Sequence, residues 1–165
     1  MSDSQQPVST SDDRIMAALA HGAVILGLWG VVISAVIWST QKEKSAYVRF
    51  QALQAMVYQL CDTAAMMLLG LLVGFCGFGV LAVMMFGGLV TLAATTDSSS
   101  TPVPFLFFNL FFPLGIVGLA LPLLLIRLAL IAYAFYGAYQ AYLGRDFRYS
   151  VIGARVERYL AQSRP

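Results

Sequence analysis

Between Phe50 and Ile126 the chain carries only two charged residues, Asp62 and Asp97. A water-soluble domain keeps roughly a quarter of its residues charged to cover its surface, so a stretch this long and this bare has to be solvated by lipid. Composition agrees: 59% of the 165 residues are hydrophobic and 11% are charged. That balance excludes a nucleic-acid-binding domain, a disulfide scaffold, a disordered tail and a secreted enzyme. The remaining charges cluster in residues 1–14, 39–49 and 145–165, with Arg127 between them.

These clusters divide the chain. Residues 1–13 are a polar N-terminal tail. The apolar run Ile15–Trp38 extends roughly 36 Å as a helix, enough to cross a hydrocarbon core of about 30 Å, and it lacks the basic start and short apolar core of a cleaved signal. It predicts one transmembrane helix, with Ser11 as N-cap and Asp12 and Asp13 in the first turn. After the polar loop 39–49, the apolar region to Ala94 is too long for one crossing. Gly70, Gly74, Gly77 and Gly79 predict a break, giving a span over 50–73 and a glycine-rich segment over 74–95 that spans, re-enters or lies in the interface. The loop Thr95–Pro104 has no cation, and a last span over 105–143 is interrupted by Pro113, Pro122 and Arg127. The expected architecture is therefore all-α: a polytopic helical membrane protein in which residues 14–144 form three to four transmembrane helices. The basic tail 145–165 adds an amphipathic interfacial helix, with Ile152, Val156, Tyr159 and Leu160 on one face.

Lysine and arginine collect on the cytoplasmic side of membrane proteins. Lys42, Lys44 and Arg49 in the first loop and the arginines of the tail place those two segments, and the C-terminus, in the cytoplasm of a multi-pass cell-membrane protein. On this reading the loop Thr95–Pro104 and the N-terminus lie outside; a four-crossing alternative puts both ends in the cytoplasm. Arg145, Arg148, Arg155 and Arg158 are candidate ligands for anionic lipid headgroups. Asp62 and Arg127 are the charges left inside spans. Measured from their flanking loops they lie at similar depth, roughly 21 Å and 26 Å, which points to an ion pair, since an unpaired charge at mid-membrane costs about 2.5–3.5 kcal/mol. The alternative is that Arg127 snorkels to the interface and Asp62 bonds a neighbouring polar group.

His21 lies about two turns into the first span, either as an interhelical hydrogen-bonding group or as a proton relay. Gln51 and Gln54 share a face at the start of the second span, with Gln59 further in, suited to bonding backbone or headgroups. Tyr133, Tyr136, Tyr139 and Tyr142 form an aromatic stripe interleaved with Ala134, Gly137, Ala138 and Ala141, a small-residue face that lets helices pack closely. Cys61 and Cys76 are expected to be buried apolar side chains, with a soft-metal site shared with neighbouring methionines as the alternative. No phosphate-binding loop, zinc-hydrolase helix, nucleophile elbow or paired intramembrane carboxylates are found. Neither an enzyme nor a cofactor is expected.

Several short motifs look familiar together: Ala20-His21, Ile37-Trp38, Lys42-Glu43-Lys44-Ser45, the Gln51-Ala52-x-Gln54-Ala55 opening of the second span, and Gly144-Arg145-Asp146-Phe147-Arg148-Tyr149. In these the chain resembles a widespread family of small bacterial membrane proteins of unknown function. That family is similar, more distantly, to the channel subunit of the chloroplast inner-envelope protein-import translocon. The resemblance covers residues 14–60 and 125–160 and implies an accessory, assembly or translocation-related subunit, working as a homo-oligomer or within a larger membrane complex and binding no nucleic acid. The alternative is a small transporter or channel element with a polar path at His21, Asp62 and Arg127.

Overall fold

The computed structural model describes residues 9–94 and 103–162, all helix and connecting segments with no strand among them. The order is α1 (Ser11–Gly22), a 3-10 turn (Ala23–Leu26), α2 (Leu28–Gln41), α3 (Ala46–Ala94), α4 (Val103–Tyr142) and α5 (Ile152–Gln162). The protein is thus a helical membrane protein, as its apolar runs require. Two helical stretches, Ala46–Val90 and Leu114–Tyr142, are long and apolar enough to cross a bilayer. The start of the N-terminal tail, most of the Thr95–Pro104 loop and Arg164 lie outside the described residues.

The first apolar run is not one helix. α1 begins one residue earlier than its sequence suggests: Thr10 is the N-cap, its hydroxyl accepting from the Asp13 amide while the Asp13 carboxylate accepts from the Thr10 amide. That reciprocal box satisfies two amides a helix start leaves without partners. At Gly27 the backbone turns to φ +58 and ψ −123, where a side chain would collide with the main chain. α2 then returns alongside α1. The Ser34 hydroxyl donates to the Ala20 carbonyl at 2.8 Å, although fourteen residues of straight helix would hold the two roughly 21 Å apart. A Cβ on Gly30 would lie 2.2 Å from the Ala23 carbonyl oxygen, so only glycine permits this approach. The 15–38 segment is therefore an antiparallel hairpin, and its small residues Ala17, Ala20, Gly30 and Ser34 are all buried.

The expected break near residues 70–79 is absent, since α3 runs unbroken for 49 residues. Glycine costs a helix roughly 1 kcal/mol relative to alanine, and in apolar surroundings unwinding is worse, because each freed backbone group loses its partner. α4 likewise continues for 40 residues and ends at Gly144, whose φ of +73 closes the helix. There the Gly144 amide donates to Ala141 and the Arg145 amide to Gln140, a helix stop that glycine favours.

The chain divides into two units, residues 1–65 with 128–165 and residues 66–127. In the first, the start of α3 and the end of α4 run antiparallel. The Tyr47 hydroxyl donates to the Ala141 and Arg145 carbonyls, and about three turns further on the Tyr58 hydroxyl donates to Leu130. Ala20, Ile37, Val48, Ala52 and Ala55 form one core cluster; Val24, Tyr58, Ala134 and Tyr149 form another. One end of this unit gathers three segments, since the Arg14 guanidinium lies against Gly144 and Tyr47 bonds Arg145. Residue 14 and the 42–47 loop consequently share an end, against the expectation that the N-terminus lies across the membrane from that loop. The second unit consists of parts of α3 and α4 whose large apolar side chains, among them Leu68, Phe75, Phe78 and Phe86, are mostly exposed.

Candidate functional site

The segment after α4 shapes the interior of the first unit. Asp146 to Tyr149 is neither helix nor strand, and its side chains divide: Tyr149 is buried and Phe147 half-buried, while Arg148 between them is exposed. Gln51 and Gln54, one turn apart on α3, clamp its backbone. Both side-chain amides donate to the Phe147 carbonyl, at 3.2 Å and 2.7 Å, and the Tyr149 amide donates to Gln54 Oε1 at 3.4 Å. Gln51 Oε1 accepts in turn from Gln54 Nε2 at 2.5 Å.

His21 completes the network from α1. Its Nε2 lies 3.1 Å from Gln51 Oε1 and its Nδ1 3.0 Å from the Tyr149 hydroxyl. An amide oxygen only accepts, so Nε2 carries the hydrogen and Nδ1 accepts from the phenol. The ring is a neutral connector, with both nitrogens occupied and none of its surface exposed. Burial, with Tyr58 and Tyr133 alongside, pushes the Tyr149 phenol above the ordinary tyrosine range, which keeps its hydrogen in place as the donor to His21. Tyr149 also stacks on Tyr58, ring centroids 4.3 Å apart and planes 4° from parallel, worth about 0.5–1.5 kcal/mol beyond the buried area. Phe147 meets His21, Tyr133 and Tyr136 edge-on. It fits there because Gly137 of α4 has no side chain: a Cβ would lie 2.7 Å from its ring.

A smaller group ties the hairpin to α3. Gln59 Nε2 donates to the Ala20 carbonyl at 2.8 Å, and its Oε1 lies 3.4 Å from the Ser34 hydroxyl. His21, Ser34, Gln51, Gln54 and Gln59 are all fully or almost fully buried, and each bonds another part of the same unit. This arrangement fastens four chain segments, α1, α2, α3 and the segment after α4, with directional bonds. In a low-dielectric interior such bonds are strong, and each is costly to leave unmade.

The candidate residues separate accordingly. His21, Gln51, Gln54 and Gln59 come together. Asp62 is 6% exposed in the first unit, whereas Arg127 belongs to the second. Arg145 donates to Gln140, and Arg148 is held by Asp146 and Glu157, both at 2.7 Å; Arg155 and Arg158 are exposed. The apolar face of α5 does not wholly face outward. Gly153 and Val156 are buried and Ile152 packs on the Val24, Tyr58, Ala134 and Tyr149 cluster, while Tyr159 is exposed. The small-residue face of α4 is also internal, with Ala134, Gly137 and Ala141 buried. Cys61 and Cys76 are exposed rather than buried, because they lie on outward faces of α3.

Gly27, Gly30, Ser34 and Tyr58 enter the site without having been singled out in the sequence. Gly30-x-x-x-Ser34 is a small-residue pair at helical spacing, the one signal for a close helix contact there. The residues that carry the family resemblance, His21, Gln51, Gln54, Phe147 and Tyr149, converge on this one network. No curated protein and no solved structure matches the chain. The model of the magnetosome magnetite crystal formation protein family matches residues 12–156, and the chain belongs to that family.

Proposed function

We propose that the protein is a non-catalytic accessory or assembly subunit in the membrane where magnetite crystals form. The observation that carries this reading is the direction of its polar groups. The side chains best suited to chemistry, His21 and Tyr149, are bonded to each other, and His21 to Gln51, inside the first unit, while the second unit turns large apolar side chains outward. A protein built this way acts through what it holds and what it packs against. Homo-oligomer or hetero-complex, the partners meet it through the exposed apolar helices, since the small-residue face of α4 is already in use. The basic end at Arg14, Lys42, Lys44 and Arg145 faces the cytoplasm by the lysine and arginine bias, with Arg155 and Arg158 available to anionic headgroups. A translocation-related role, by analogy with the chloroplast channel subunit, is the finer form of the same proposal.

The test is to solubilise the native membrane mildly and identify what accompanies the chain, alongside crystal size in cells that lack it. Co-purification with other membrane proteins, and crystal defects in cells lacking the chain that the unaltered chain rescues, are expected. Recovery only as a monomer that conducts ions when reconstituted contradicts the proposal and favours the transporter alternative.

A further inference from the structure

We infer that residues 11–41 form a re-entrant membrane hairpin, whose tip is buried in lipid acyl chains and whose two ends emerge on the same side of the bilayer. This rests on the geometry of the first unit and is independent of the functional proposal.

Three observations carry it. First, neither arm is long enough to cross. α2 has 14 residues, roughly 21 Å of helix, against a core of about 30 Å. Second, the arms are antiparallel along their length, with Gly30 against Ala23 and Ser34 bonded to Ala20. Whatever surface Ser11 enters by, Gln41 leaves by. Third, polarity is sorted along the hairpin. Its base carries the Thr10–Asp13 capping box, Arg14, Lys42 and Lys44. Its tip carries Ile25, Leu26, Leu28 and Trp29 around Gly27, exposed by 66%, 53%, 63% and 72%.

Four large apolar side chains presented together at a turn are unusual on a surface facing water. The occupant that fits is hydrocarbon, because the neighbouring helix α3 is itself apolar enough to span and the base matches a headgroup layer in its charges. Counted from Ile15, the first arm descends roughly 20 Å, which places the tip near the middle of the core. Two of the tip's amides have backbone acceptors, the Gly27 amide donating to Val24 and the Gly30 amide to Gly27.

The experiment uses the full chain with Cys61→Ser and Cys76→Ser, reconstituted in phosphatidylcholine vesicles. Ser11→Cys and Glu43→Cys, both at exposed positions of the base, are labelled separately with a membrane-impermeant maleimide. Labelling of both from the same side is expected; labelling from opposite sides shows a full crossing and overturns the inference. In the same protein Trp38→Phe leaves Trp29 as the only tryptophan. Its emission is expected to be lost to lipids brominated near the chain ends more than to lipids brominated near the headgroup. Quenching by aqueous acrylamide instead places the tip in water, and protection from both quenchers places it under protein; either result overturns the assignment to lipid.

Discussion

The two units of this protein solve opposite problems with one kind of helix. In the first, α1, α2, the start of α3 and the end of α4 pack through alanine, glycine and serine, and glutamine, histidine and tyrosine bond across them. In the second, α3 and α4 continue with leucine, phenylalanine and methionine pointing outward among the described residues. Lipid tails are as apolar as leucine, so an apolar surface alone gives helices no preferred neighbour inside a bilayer. Small residues and buried hydrogen bonds supply that preference. The contrast implies that structural specificity resides in the first unit, and that substitutions of equal size will differ in effect according to the unit they fall in.

The sharpest break in that comparison is Gly30→Leu. A Cβ alone meets the Ala23 backbone, and overpacking of this kind costs about 1–3 kcal/mol or more, so folded protein should be largely lost from membranes; near-normal thermal stability in detergent shows that the hairpin contact is unimportant. Gln54→Leu leaves the Phe147 carbonyl with a weaker clamp and the Tyr149 amide without its partner. About 1–3 kcal/mol of stability should go, visible as a lowered melting temperature.

The smallest effects belong to exposed positions. Phe78→Ala, at a side chain 75% exposed in the second unit, should change stability by less than about 0.5 kcal/mol. A loss several times larger, measured in bilayers, identifies Phe78 as a contact with another protein. Arg148→Ala breaks two exposed ion pairs, and such pairs contribute about 0–1 kcal/mol.

Much of this was legible in the sequence, though unevenly. Charge-poor runs mark the apolar helices, the glutamines and His21 stand out as polar groups inside them, and the Gly144–Tyr149 motif stands out after the last one. What escaped was the fold of residues 15–38, because its hydropathy is that of an ordinary span and no proline or charge interrupts it. Only the conformation of Gly27 and the absence of a Cβ at Gly30 turn it back, and hydropathy senses neither. The converse error came from Gly70 to Gly79, where glycine suggested a break. In an apolar helix with nothing else to bond its backbone, glycine is tolerated. The tail combines two things that hydropathy does not separate: its arginines suit a headgroup surface, while Tyr149 joins the core and Phe147 packs against it.

That last point is the centre of the account: the segment after α4 is part of the first unit's interior, held by Gln51, Gln54 and His21. It is tested most directly by trypsin, applied from the C-terminal side to the full chain in bilayers, with the unaltered protein compared against Gln54→Leu. Cleavage after Arg145 and Arg148 requires the segment to leave the core, so its rate follows the population of the opened form. The account predicts cutting of the unaltered protein about tenfold slower than of the variant, the equivalent of about 1.4 kcal/mol. Equal rates in the two proteins would mean that the segment is a loose basic tail, and would contradict it.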